Sequence, residues 1–411
     1  MIKGVRALAA ASLMAALGLS TMSTAGAADR TAASTNTLIP EQYIVTLKPG
    51  SNATGPVRQT AQALLGRVGG GQLLQVYQHS IDGFAVRLPA VAARALSNSP
   101  LVARIEQDRR MELSATQFDA GYNIDRLDQP SLPLDDTYSY ASAGLGVNVY
   151  VIDTGLNASH VDFAGRIASG RNFAANSTGG LLCVLLGRNC PVPDPVNTDD
   201  CNGHGTHVSG TAMGTTYGVA EGATVVPVRV FGCGNSTSTS TIIAGVDWVA
   251  GNASLPAVAN MSLGGGVSAT LDDAVSNLIT QGVTVVMAAG DEDADACGSS
   301  PGRVTAGITV AATDASDTRA SYSNFGSCVD LFAPGSNVVS ASNTDDTGTN
   351  TYSGTSMASP LVAGAAARYL STAPGASPAQ VESFLEGSAS AGLVADPAGS
   401  PNLLIYLPPG L

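Results

Sequence analysis

Along most of the chain, short unbroken apolar runs alternate with stretches whose apolar residues recur every three or four positions. The runs at 146–153, 224–231, 257–263, 283–289 and 308–312 are rich in β-branched residues and predict strands buried on both faces. The segments 204–214, 241–249, 271–281, 356–370 and 378–385 carry the helical period. Strands alternating with helices predict a three-layer α/β fold around a mostly parallel sheet. In such sheets ligands bind beyond the carboxyl ends of the strands. Asp153 and Asp291 stand at two of those ends.

Residues 39–113 follow a different pattern. Strands are expected at 43–47, 83–88 and 102–106, and helices at 57–66 and 91–98, a small α+β domain without cysteine. The pattern breaks between Glu112 and Gln117, so this domain is placed at 29–114 and the larger one at 115–411. Ahead of both, Lys3 and Arg6 precede an apolar run from Ala7 to Leu19 and small residues through Ala28. That order reads as a signal peptide over 1–28, too short to span a bilayer, and predicts an exported, extracellular protein.

With 411 residues, 44% of them hydrophobic, the chain can bury a large core. Its charge is uneven. Residues 1–114 hold 11 of the 19 Lys and Arg but six of the 32 Asp and Glu, which leaves eight basic against 26 acidic residues afterwards, a net of −18. Such a surface repels nucleic acid and anionic membranes, and neither is expected as a partner. A monomer is expected. All six cysteines follow residue 180, and an even count in an exported chain reads as disulfides, with fifteen pairings open. No Cys-x-x-Cys spacing suggests zinc, and no catalytic metal is expected.

The stretch Tyr-Ser-Gly-Thr-Ser-Met-Ala-Ser-Pro, 352–360, opens an alanine-rich helix, with Ser356 among small neighbours. By itself such a serine is far more often a helix cap than a nucleophile. A nucleophilic serine needs a base, an acid that orients the base, and donors for the oxyanion. Asn-Gly-His-Gly-Thr-His-Val-Ser-Gly-Thr, 202–211, offers His204 between two glycines, and the strand ending at Asp153 offers the acid. Asp153, His204 and Ser356 together make acyl transfer possible.

The segments Val-Ile-Asp-Thr-Gly, Gly-His-Gly-Thr-His-Val-Ser-Gly-Thr, Met-Ser-Leu-Gly-Gly and Ser-Gly-Thr-Ser-Met-Ala-Ser-Pro resemble, in order and spacing, those of the subtilisin-like serine proteases. The proteinase K branch, with its disulfide-bearing bacterial members similar to aqualysin, is the nearest in kind. The resemblance implies a subtilisin-like fold, an endopeptidase acting on protein or peptide substrates, and Asp153, His204 and Ser356 as its triad. It implies that residues 39–113 are an inhibitor-type propeptide, marked by Ile-Pro-Glu-Gln-Tyr-Ile-Val at 39–45 and Ile-Glu-Gln-Asp at 105–108. Such a propeptide aids folding and inhibits the enzyme until the precursor cuts itself.

It further implies disulfides Cys201–Cys233 and Cys297–Cys328, which leaves Cys183 and Cys190 to pair in a loop insertion at 179–198. Substrate backbone is expected along Ser262, Leu263 and Gly264 and near Asn235 and Ser236, with Ala289 and Gly290 lining the same site. Asp330 matches a calcium-ligating carboxylate, with the carbonyls of Thr305 and Gly307 as its partners, so structural calcium is expected.

One residue departs from the family pattern. Relatives carry an asparagine after Ala-Ala-Gly that donates a hydrogen bond to the oxyanion, and this chain has Asp291. An ionised carboxylate cannot donate and repels the charge it faces. At unperturbed pKa values, Asp291 protonated and His204 neutral coexist in roughly one molecule in 400. The expectation is an active peptidase, weakened or shifted toward acidic pH. The alternatives are a catalytically silent binding module with the same fold and an esterase-like hydrolase on the same triad. The acidic run Asp291-Glu292-Asp293 is expected to border the pocket for the residue before the scissile bond and to admit basic side chains.

Overall fold

The computed structural model describes residues 38–48, 56–77, 82–109, 115–174 and 194–411. The expected signal peptide, and Cys183 and Cys190 with their disulfide, lie outside the described residues. The chain divides into two units, residues 1–111 and 112–411.

The first unit is built on β1 (Leu38–Leu47), β2 (Gln72–Tyr77), β3 (Gly83–Arg87) and β4 (Val102–Arg109), all antiparallel in the order β2-β3-β1-β4. Helices α1 (Val57–Arg67) and α2 (Ala90–Ser97) put Leu64, Leu65 and Leu96 against Val45, Phe84 and Val86 of the sheet. Strand β2 has no counterpart in the sequence reading. Leu73, Leu74, Val76 and Tyr77 are half-buried and Gln72 and Gln75 exposed, so no two-residue alternation marks it.

The second unit carries the short helix α3 (Tyr122–Asp128) near its start, after an extended stretch at Ala115–Phe118. Its central sheet has nine strands among the described residues: β5 (Asn148–Asp153), β6 (Arg171–Asn172), β7 (Thr224–Arg229), β8 (Ala257–Met261), β9 (Thr284–Ala288), β10 (Ile308–Thr313), β11 (Leu331–Pro334), β12 (Ser390–Ala391) and β13 (Leu403–Leu404). Their order is β12-β13-β11-β10-β9-β8-β5-β7-β6, and every pair except β12–β13 is parallel. Alternation along the strands feeds two cores. Val149, Val151, Val258 and Val286 face α4 (His204–Met213) and α7 (Thr355–Thr372), whereas Tyr150, Ile152, Ala259 and Val285 face α5 (Thr239–Asn252) and α6 (Ala269–Thr280). A further helix, α8 (Pro378–Ser388), packs on α7 and starts with a full capping box, Ser377 with Gln380.

Helix α7 is buried over nearly its whole length, which explains its alanines: a bulkier helix would not fit under the sheet. Pro360 sits inside it and has no N–H for the Ser356 carbonyl. That carbonyl instead accepts the Ser262 hydroxyl at 2.8 Å, which ties the start of α7 to the end of β8. No helix among the described residues is long and apolar enough to cross a membrane.

Candidate active site

Three carboxyl-end positions of the sheet converge. Asp153 is the last residue of β5 and is 1% exposed. Its Oδ1 accepts the Thr154 N–H at 2.7 Å and the His204 Nδ1–H at 2.8 Å. His204 begins α4 because Gly203 turns the chain at φ +106°, where a Cβ would meet Asn343 Oδ1 at 2.7 Å. Burial works against the imidazolium form, but the Asp153 charge and hydrogen bond, with Asp200 and Asp291 beyond, outweigh it and hold the His204 pKa above the ordinary value.

Ser356 is the second residue of α7, so its N–H lies outside the helical ladder and is free for a ligand. Its hydroxyl donates to the Ser262 carbonyl at 3.2 Å rather than to His204. His207 lies beneath, fully buried, stacked on Tyr352 at 4.6 Å. Its Nε2 meets the Val338 carbonyl at 3.1 Å, so Nε2 carries the proton. Burial lowers its pKa to about 4 and keeps it neutral.

Asp153, His204, Ser356, Asp291, Asn235, Ser262, Leu263 and Gly264 line one open cleft of about 750 Å³. Ser356, Asp291, Gly290, Leu263 and Gly264 also line a second cavity of about 410 Å³. Ser236 is exposed and outside both, and Ala289 is fully buried, with Ala288 at the wall in its place. The sequence reading placed Glu292 at this border, and the second cavity's lining includes it, but it missed Asn324 and Asp295. Asn324 organises that wall: its Oδ1 accepts the N–H groups of Glu292 and Ala294, and its Nδ2 donates to the Ala289 carbonyl and to Glu292 Oε2. Gly290, at φ +105°, has to be glycine, because a Cβ there would lie 2.3 Å from Asn324 Nδ2. Asp293, expected at this border, turns away to Arg319 at 2.7 Å.

Asp291 stands exposed in the cleft with its Oδ1 accepting the Thr355 N–H at 2.7 Å. Its Oδ2 lies against Gly354, where an added Cβ would come within 2.9 Å of it. An asparagine in this pose would present its amide where Oδ2 stands. The surrounding protein pushes the Asp291 pKa up by desolvation, the Thr355 N–H and hydroxyl pull it down, and Glu292 adds to the rise.

The structure joins Cys201 to Cys233 and Cys297 to Cys328. The first bridge flanks the His204 segment and the second flanks the Asp295 wall. Asp330 lies at the opposite, amino edge of the sheet, directly before β11, and Thr305 and Gly307 precede the neighbouring β10. Asp330 Oδ2 accepts the Thr309 N–H at 2.8 Å. Glu382 and Glu386 of α8 bring carboxylate oxygens to it, all within 4.8 Å of one another. Burial, with Glu386 adding, raises Asp330 to about 6, and burial with the two neighbouring acids raises Glu382 to about 7. Converging oxygens that resist ionising together suit a hard divalent cation. In α3, Asp125 and Asp128 are also buried, each with one carboxylate oxygen lacking a hydrogen-bond partner.

The Subtilase family model matches residues 144–403, and the Peptidase inhibitor I9 model matches residues 42–114. An extracellular serine proteinase of Thermus sp. (strain Rt41A) is 49% identical over 364 residues, 88% of this chain and 84% of the relative. Alkaline serine exoprotease A of Vibrio alginolyticus is 46% identical over 380 residues, 90% and 67% of the two chains. The crystal structure of a cold adapted subtilisin-like serine proteinase superposes with a TM-score of 0.64 at 49% identity, covering 70% of this chain and 98% of the other.

Proposed function

The chain belongs to the subtilase family, and from that membership we propose a secreted serine endopeptidase, made as a precursor whose residues 29–114 are an inhibitory propeptide. The observation that carries the reading is the 2.8 Å Asp153–His204 pair in the same cleft as Ser356, which heads a buried helix. Asp153 accepts the Nδ1 proton and so leaves the Nε2 lone pair of His204 as the base. The Ser356 hydroxyl turns from the Ser262 carbonyl to His204, gives up its proton and attacks the scissile carbonyl carbon. The oxyanion is received by the Ser356 N–H and by Asp291 Oδ2 when that oxygen carries a proton. His204 then protonates the departing amine, and water releases the acyl group by the same steps in reverse.

Calcium, when bound, supplies charge that holds α8 to the amino edge of the sheet. Asp330, Glu382 and Glu386 would hold it, with the backbone before β10, and it takes no part in the reaction.

The condition on Asp291 sets the pH profile. Activity requires Asp291 protonated and His204 neutral, which narrows the active range and favours the acid side of it. Asp291→Asn removes the condition, so peptide hydrolysis near neutral pH should rise by on the order of 10²-fold, the value of one such donor. Ser356→Ala should abolish hydrolysis. Equal or lower activity in Asp291→Asn would refute the role given to Asp291. The same carboxylate is also what favours the second reading, a silent binding module. Under that reading the purified precursor stays whole, whereas an active enzyme separates it near Ser114 unaided.

A further inference from the structure

Beneath His204 lies a second carboxylate. Asp200 is 9% exposed, follows the bridge Leu156–Asp199, and forms no ion pair with a cation among the described residues. Its charge is met by five donors. Oδ1 accepts the hydroxyl of Thr154 and the N–H groups of Asn202 and Gly203, each at 2.9 Å. Oδ2 accepts the Thr206 N–H at 2.9 Å and the Thr206 hydroxyl at 2.6 Å. Three of the five therefore come from the N–H groups at the head of α4, where an anion is favoured. The Thr154 hydroxyl, its proton committed to Asp200, accepts the Gly205 N–H at 2.8 Å. The Thr206 hydroxyl likewise accepts the Asn157 N–H at 2.9 Å.

One carboxylate thus holds both halves of the Asp153–His204 pair: the residue that follows Asp153 on β5, and the residues on either side of His204 at the start of α4. We propose that Asp200 is a positioning residue for the reaction, fixing the His204 ring against Asp153 through Thr154 and Thr206 and lending its negative charge to the imidazolium that forms when Ser356 loses its proton. This rests on the triad reading above. The ionisable groups facing His204 are Asp153 from β5, Asp200 from the preceding loop, Asp291 from beyond β9 and the neutral His207 of its own helix. Asp200 is the member of this set with no other task. An asparagine cannot replace it, because either orientation of the amide aims an NH2 at backbone N–H donors.

The test uses two sites. Asp200→Asn in the full precursor should lower kcat by roughly 10- to 100-fold with little change in KM, as a misplaced base does, and should move the acid limb of the kcat/KM profile to lower pH. Thr154→Val removes the hydroxyl relay but keeps the charge, so kcat falls while the acid limb stays in place, and Thr154→Ser restores most of the loss. An unmoved acid limb in a folded Asp200→Asn enzyme would overturn the electrostatic role. Should that variant not fold, Thr154→Val with undiminished kcat would overturn the positioning role. Ser356→Ala is run alongside: a variant as active as the parent removes the triad reading itself, while an inactive one confines any failure to Asp200.

Discussion

At the scale of single residues, we place the specificity of the proposed peptidase in the second cavity. Glu292 and Asp295 contribute carboxylates to its wall, and the lining contains no Lys, Arg or His. Asp293, which the sequence grouped with them, is spent on Arg319. The expected preference is therefore a basic residue before the scissile bond, held by Glu292 and Asp295. Peptides differing only in Arg, Phe or Leu at that position should show the highest kcat/KM for Arg, and Glu292→Gln should reduce that margin. A bias against Arg would remove the proposal. The acidic run suggested this preference, but the split between Glu292 and Asp293 was not readable locally, because it depends on Asn324, some 30 residues away in sequence, which holds Glu292 at the wall, and on Arg319, which draws Asp293 away.

At the scale of elements, the active geometry depends on how strand ends are joined to helix starts. The two disulfides close loops of 32 and 31 residues at these junctions. Each should stabilise the folded state by about 2–4 kcal/mol. In the inactive Ser356→Ala background, replacing Cys297 and Cys328 by serine should lower the unfolding free energy from urea titration by an amount in that range, seen as a lower midpoint. An unchanged midpoint would show the bridge to be dispensable. The helices and central strands were legible because each keeps one pattern throughout, and the structure moves their ends by only one to three residues, trimming most of the strands and lengthening most of the helices. Strand β11 was not, since Leu-Phe-Ala-Pro is too short to show a period and ends in a proline.

At the scale of the whole molecule, the amino edge of the sheet stores uncompensated negative charge. Asp330 and Glu382 have folded-state values of about 6 and about 7 against ordinary values of 3.8 and 4.5. Asp128 in α3 is likewise raised to about 6, chiefly by burial. Between the unfolded and folded values the folded chain binds more protons, so stability falls as pH rises from about 4 to 7. Calcium bound at Asp330, Glu382 and Glu386 would reverse the burden by pairing with the ionised forms. Calorimetry of the Ser356→Ala protein in chelator should show Tm rising as pH is lowered from 7 to 5. Added calcium should raise Tm most at pH 7 and flatten that slope, and Asp330→Asn should reduce the calcium effect. A calcium-independent Tm at pH 7 would refute the site.

What the sequence determined by itself was the order of the main elements and the choice of the groups proposed to react. Hydrophobic period is a local property, and the segments around Asp153, His204 and Ser356 are distinctive in residue type and order. The tertiary structure decided the rest, because it concerns atoms brought together across long stretches of chain. His204 meets Asp153 over 51 positions, Ser356 meets Ser262 over 94, and Asp330 meets Glu382 through the packing of α8. Which carboxylate is paired, which is left beside another, and which stands where a hydrogen-bond donor is required are questions of distance and burial. Those quantities exist only once the sheet and its helices have closed around them.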